Sequence, residues 1–232
     1  MVNRDLEFYI EYLQNEEFFA NFTSEQLNEI ENSAVIHQYR KGQILFFQSD
    51  PKIYSYYLLK GLIKLERSDE SGELLYVDYV TSHSFFPYSS VFGHREYIYN
   101  CYAATNIDIL LIPNDVMERL IKENIHQMQY MFKQMAETVA FLEKRIQITA
   151  ISSATDRVEH MLGLWKYDMA RPVTDGSIIQ YPLTINELAI VSGTTRETAG
   201  KVVRDLTEEG KIKFTRKAIY YYDCDYFDAM VE

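Results

Sequence analysis

Four side chains near the end of the chain, Arg196, Glu197, Lys201 and Arg204, fall at spacings that set them along one side of a helix. Their chemistry is that of base-edge recognition. An arginine guanidinium bonds bidentately to guanine O6 and N7, a glutamate accepts from cytosine N4, and a lysine reaches a base edge or a phosphate. Gly200 sits among these readers and removes a side chain, which would let the helix backbone approach closely. Beyond them, Lys211, Lys213, Arg216 and Lys217 suit phosphate contacts, which position a protein without reading sequence. The window 194–217 holds seven bases against four acids, within a chain of formal charge −11. A solvated charged face is the bland account of such a cluster.

The elements that would carry these residues argue for more. In LTINELAIVSG, Thr184 and Glu187 have the T-x-x-E spacing of a capping box, and Gly193 suits the left-handed end of a short helix. Thr194 and Glu197 repeat the box at once, so two short helices meet across a tight turn, as in a helix-turn-helix. Ala199, Val202, Val203 and Leu206 fall on the opposite side of the second helix and can pack on the first. KIKFTRKAIYYYD reads as two strands around a Lys-Ala turn, a small wing. Caps, facial sorting and local charge agree on double-stranded DNA as the ligand.

Composition bounds the rest. With 232 residues, 47% apolar and 25% charged, the chain is ordinary for a globular protein with a substantial core. No apolar run approaches about 18 residues, so no membrane span is expected, and the interrupted acidic start MVNRDLEFYIEYLQNEEFF does not suit a signal peptide. Cys101 and Cys224 give neither a disulfide framework nor a metal spacing, and a reducing cytoplasm is the expected location. A pI near 5.0 means that any nucleic-acid contact must be local.

Along the chain, residues 5–32 read as short helices, the second capped by Ser24. From 35 to 112, short runs such as QILFFQ, IYSYYLL, LIKLER, ELLYVDYV and IDILLI alternate with turn signals, which predicts an antiparallel roll. Pro113-Asn114 closes it. A long helix follows to about 147, with an apolar stripe through Val116, Leu120, Met128, Met131, Met135, Val139, Leu142 and Ile146. Such a stripe either packs on the roll or finds a partner helix. At roughly 50 Å the helix is too long for the roll alone, which favours a dimer seam of Leu120, Met128, Met131, Met135, Val139 and Leu142. Ser153 and Asp156 start another helix, running to about 170. The expected organisation is α+β: a roll with N-terminal helices over 1–113, a dimerisation helix over 114–147, and a winged helix-turn-helix domain over 148–232.

On these features the chain resembles the cyclic-AMP receptor/FNR (Crp/Fnr) superfamily of bacterial transcription regulators over nearly its whole length. YRKGQILFFQSDPKIYSYYLLKGLIKLERSDESGELL resembles its cyclic-nucleotide-binding-type jelly roll, the 114–146 helix its dimerisation helix, and LTINELAIVSGTTRETAGKVVRDLTEEGKI its winged helix-turn-helix. The resemblance implies a homodimer whose two reading helices lie about one DNA turn apart on a pseudo-palindromic promoter site, and RNA polymerase as a partner. It implies Arg196, Glu197 and Lys201 as base readers and Thr195 and Thr198 as phosphate contacts. FFPYSSVF is similar to Gram-positive regulators of the arginine-deiminase pathway.

Two departures bear on cofactors. Nucleotide-binding members hold the cyclic phosphate with a Gly-Glu pair and a later Arg-Ser or Arg-Thr. Phe86-Pro87 and Tyr97-Ile98 stand in those places, so the charge-assisted bidentate partner is missing and cyclic nucleotide is not expected. Arg95 lies nearby, but using it would need a shift of strand register. Iron–sulfur members use four largely N-terminal cysteines, and with none before Cys101 no cluster is expected. Tyr88, Ser89, Ser90, Tyr97 and Tyr99 are candidates for a small-molecule effector pocket, although hydroxyl and aromatic residues on strands are commonly plain sheet residues. His83, His94 and Glu96 lack the paired-histidine spacing of a cupin metal site. No catalytic motif is present. An effector-independent regulator and a regulator of the same fold gated by a non-nucleotide effector both stay open; a roll enzyme with a DNA module and an adaptor without DNA binding are the other classes.

Overall fold

The computed structural model describes residues 13–70, 74–88, 92–93 and 95–231. The first half of the first expected helix, together with Ser89, Ser90 and His94, lies outside the described residues. The chain divides into two compact units, Met1–Glu137 and Thr138–Glu232.

In the first unit a short helix, α1 (Ser24–Ser33), precedes the strands β1 (Val35–Tyr39), β2 (Ile44–Phe46), β3 (Tyr54–Lys60), β4 (Leu62–Ser68), β5 (Leu74–Thr81), β6 (Ser84–Phe86), β7 (Asn100–Ala103) and β8 (Ile107–Pro113). They form two antiparallel sheets, ordered β1-β8-β3-β6 and β2-β7-β4-β5, which make up the expected roll. Side chains alternate across a strand, and β3 uses both of its faces. Tyr56 and Leu58 join Phe46, Ile63, Leu65, Cys101 and Ile109 in a core drawn from both sheets. Their neighbours Tyr57 and Leu59 pack instead with Phe18, Phe19, Leu120 and Met131. A strand covered on both sides reads as a nearly continuous apolar run, and YSYYLL is broken only by Ser55, which is buried and donates to Asn114 Oδ1 at 2.9 Å.

A single helix over 114–147 was the expectation; the structure interrupts it. A helix α2 (Asn114–Glu123) stops, and α3 (Ile125–Ala150) starts afresh. Asn124 makes the break. Its backbone is extended, with φ −119° and ψ 104°. Its amide donates to Asn21 O and Gln26 Oε1, both at 2.8 Å, and its carbonyl accepts from the N–H groups of His126 and Gln127 at 3.1 Å. The side chain thus caps the new helix by satisfying its orphan donors.

The expected dimer seam is corrected in the same region. Leu120 and Met131 are each only 1% exposed within their own subunit, and Met128 packs against the same core. They face the N-terminal aromatics, which supplied the cover that the roll alone could not. The cap of α1 is also displaced by one residue: Thr23, not Ser24, forms the capping box with Gln26.

The second unit begins within α3 and contains α4 (Ala154–Met169), β9 (Arg171–Val173), β10 (Gly176–Ile179), α5 (Ile185–Val191), α6 (Arg196–Glu208), β11 (Ile212–Phe214), β12 (Ile219–Tyr221) and α7 (Cys224–Asp228). Ser153 caps α4 as expected. The strands form one sheet, β11-β12-β10-β9. The hairpin β9–β10 was not foreseen, although Asp175-Gly176 is a turn signal. Gly176 is held at φ 126°, where a Cβ would lie 2.0 Å from Tyr221 O, so this close strand contact requires glycine. Lys166, itself buried, reaches Asp228 at 2.6 Å and ties α7 to α4.

Candidate nucleic-acid interface

The helix pair α5 and α6 is assembled from local signals. Thr184 and Glu187 form the complete capping box that starts α5, with N–H···O distances of 2.9 and 3.1 Å. Gly193 takes the left-handed conformation, φ 57°, and its N–H bonds Ile190 O at 3.1 Å, which turns the chain into α6.

The cap of α6 differs from expectation. Thr195, not Thr194, is the capping residue: its Oγ1 accepts from the N–H of Thr198 at 3.2 Å, and the two hydroxyls lie 3.1 Å apart. Glu197 is therefore not folded back into a box, and its carboxylate is exposed.

Along α6, Ala199, Val202, Val203 and Leu206 are buried, while Arg196, Glu197, Lys201 and Arg204 are exposed. The facial sorting expected from sequence is what the structure has. Among the described residues, none of the cations Arg196, Lys201, Arg204, Lys213 and Arg216 forms an ion pair. Such an outward row without carboxylate partners leaves its donors available to an anionic ligand.

Gly200 plays a different part from the one expected. A Cβ there would meet Ile185 Cγ2 at 3.8 Å, an ordinary contact, so the residue faces the start of α5.

In the wing, Lys213 pairs across the strands with Tyr220, and the tip is fixed by Thr215 N–H bonding Ala218 O at 2.9 Å. Arg216 and Lys217 are exposed at that tip. Lys211 is not available in the same way. Its ammonium sits 2.7 Å from Glu209 and 3.6 Å from the Tyr226 ring centroid.

Sequence placed Met135, Val139, Leu142 and Ile146 on the apolar stripe but did not single out two further residues, Phe132 and Arg157. On α3, Phe132 (70% exposed), Met135 (40%), Val139 (55%) and Ile146 (68%) join half-buried Leu142 at a, d, a, a and d heptad positions. The other is Arg157, whose bonds all run to backbone carbonyls, a kind of partner that leaves no sequence signal.

The expected effector-pocket residues are not brought together. Tyr97 and Tyr99 are buried between the sheets, while Tyr88 packs on Phe85 with the other core; Ser89 and Ser90 lie outside the described residues. Tyr97 stacks on Phe46 at 3.7 Å, Phe46 on Tyr56 at 5.4 Å, and Tyr56 on Phe86 at 5.3 Å. The Tyr97 hydroxyl donates to Tyr54 O at 2.8 Å, accepts from Tyr54 N–H at 3.2 Å, and lies 3.1 Å from the Tyr56 hydroxyl. Burial pushes both phenols above the ordinary tyrosine range, which keeps them neutral. Where nucleotide-binding rolls carry an arginine for the phosphate, this roll has a satisfied aromatic stack. Of the expected pocket residues, Tyr97 lines a shallow cavity of about 260 Å³ together with Gln48, Ser49, Arg67, Arg95 and Glu96.

Against known proteins, the cyclic nucleotide-binding domain family matches residues 36–124. The chain is 28% identical over 187 residues to the global nitrogen regulator of Nostoc sp., covering 80% of this chain and 84% of that protein. It is 26% identical over 194 residues to the HTH-type transcriptional regulator ArcR of Staphylococcus haemolyticus, covering 84% and 85%. The crystal structure of TTHA1359, a CRP/FNR-family transcriptional regulator from Thermus thermophilus, superposes with a TM-score of 0.59 at 25% identity, over 84% of this chain and 97% of that one. Among the described residues, no helix is long and apolar enough to cross a membrane.

Proposed function

We propose that this chain is a DNA-binding transcription regulator of the Crp/Fnr superfamily that reads a pseudo-palindromic promoter site as a homodimer. One observation carries the reading: the unpaired outward row of Arg196, Glu197, Lys201 and Arg204 on α6, opposite a fully buried apolar face. Arg196 and Glu197 read base edges from the first turn, which is the end that a recognition helix presents to the major groove. Lys201 reaches a base or a phosphate. Arg204, Lys213 and Arg216 hold phosphates, with the hydroxyls of Thr195 and Thr198 at the helix start.

The dimer forms along α3. A seam of Phe132, Met135, Val139, Leu142 and Ile146 repeats at heptad spacing over about 21 Å of the helix, and an exposed apolar row of this kind is suited to a second copy of itself. Selection of random duplex DNA by the purified protein, read by sequencing, tests the proposal. A two-fold site with guanine in each half is the expected result. A folded dimer that enriches nothing would overturn it.

No cyclic nucleotide is required. The stack of Phe46, Tyr97, Tyr56 and Phe86 supports this, since a cyclic phosphate placed among these rings would displace satisfied hydroxyls. Cyclic AMP at millimolar concentration is expected to leave the melting temperature unchanged, and stabilisation by several degrees would refute the claim. A non-nucleotide effector would have the cavity that Tyr97 shares with Arg67 and Arg95 as one described place to bind.

A further inference from the structure

Arg157, in the first turns of α4, makes hydrogen bonds to four backbone carbonyls. Nη1 donates to Ile151 O at 2.8 Å and Ser152 O at 3.1 Å; Nε donates to Ser192 O at 2.9 Å and Nη2 to Gly193 O at 3.0 Å. The first pair belongs to the segment that follows α3. The second pair is the turn between α5 and α6. The last carbonyls of a helix have no partners within it, and a cation there also meets the negative end of the helix dipole. One guanidinium therefore serves the C-terminal ends of two helices at once: the long helix α3 and the first helix of the helix-turn-helix.

This joint is stiff for a chemical reason. The guanidinium is planar, and its donors project in a fixed fork, so holding four acceptors fixes their relative positions. No other side chain offers that fork. Gly193, whose carbonyl is one of the four, is the residue that turns the chain into α6. Thr195, two residues on, caps the reading helix.

We propose that Arg157 is a positioning residue for DNA recognition, setting the angle of α6 relative to the end of α3 through these four carbonyls. The assignment rests on α6 reading DNA and goes beyond it, because Arg157 itself touches no base. A dimer joined through α3 could present two reading helices in matched orientation only if each is rigidly referred to its own long helix.

The test compares wild type with Arg157→Ala, Arg157→Gln and Arg157→Lys on the duplex that the wild type selects and on a scrambled duplex, with melting temperatures measured alongside. Arg157→Ala is expected to lose about tenfold in affinity for the selected site, while scrambled-DNA affinity changes by less than about twofold and its salt slope is kept. Arg157→Lys, with charge but no fork, should recover only part of the loss. Equal losses on both duplexes with a lower melting temperature would make the residue merely structural and overturn the proposal. Equal losses with a salt slope lower by about one would make it a phosphate contact and also overturn it. Should the alanine variant not fold, Arg157→Gln is judged by the same criteria. A wild type that selects no site refutes the DNA-reading assignment itself, whereas a selective wild type with unaltered variants refutes the joint alone.

Discussion

Thr195 Oγ1 accepts from the backbone N–H of Thr198 at 3.2 Å, and this one bond sets the frame of the reading helix. Had Thr194 been the cap, Glu197 would have stood three residues on and bent back to the chain, as a capping box requires. With the frame moved by one residue, Glu197 keeps its carboxylate exposed beside Arg196. A carboxylate in the first turn also suits the positive end of the helix dipole.

Arg196→Ala should weaken the selected site by about 1–3 kcal/mol and relax base preference at one position in each half-site, as measured by repeating the duplex selection. A uniform loss across sequences would make Arg196 a phosphate contact.

On the wing, Lys213→Ala and Arg216→Ala should each lower affinity for all sequences alike and reduce the slope of log K against log salt by about one. Lys211→Ala should leave that slope in place, because its ammonium is committed to Glu209 and Tyr226. Titrations at several salt concentrations separate the three.

Val139→Glu should dissociate the dimer, since it sets a charge into the exposed seam at 55% exposure. Met131→Ala, by contrast, should keep the dimer and cost the subunit about 2–5 kcal/mol, because Met131 is buried in its own core. Sedimentation velocity reads the first and denaturant unfolding the second.

Tyr97→Phe should cost about 1–3 kcal/mol by leaving the Tyr54 carbonyl without its buried donor. Burial raises the Tyr56 and Tyr97 phenols above their ordinary value of 10.0. The unfolded chain therefore ionises first, and the stack's contribution, intact below pH 10.0, is lost as pH climbs beyond it. Urea unfolding at pH 8 and at pH 11 should show the wild type losing more stability than the variant.

Gly163→Ala should destabilise the second unit by about 1–3 kcal/mol, because its Cβ would lie 2.8 Å from Phe227 O. Gly200→Ala should be neutral or gain up to about 1 kcal/mol from helix propensity. If it instead weakened DNA binding at unchanged stability, the close-approach role first suggested for Gly200 would be restored.

The roll, the helix pair and the wing were legible because each is written in local signals: period-two runs, caps, and a glycine at the turn. The buried set of α6 followed from helical spacing alone. What escaped depended on distant partners. Thr194 and Thr195 offer the same hydroxyl, and only the built helix distinguishes them. Asn124 sits in an otherwise unbroken helical pattern, and its role as a cap needs Asn21 and Gln26, about a hundred residues away. Leu120 and Met131 lie on the same sequence stripe as Val139, but Phe18 and Phe19 bury only the first two. The tyrosines offered as an effector pocket alternate between two cores, which composition could not assign.

The interruption at Asn124 has an evolutionary consequence. Because the chain restarts its helical phase there, a residue inserted in α2 can be absorbed before the seam begins. One inserted between Phe132 and Ile146 would rotate everything after it by about 100° and set half of the heptad row out of line.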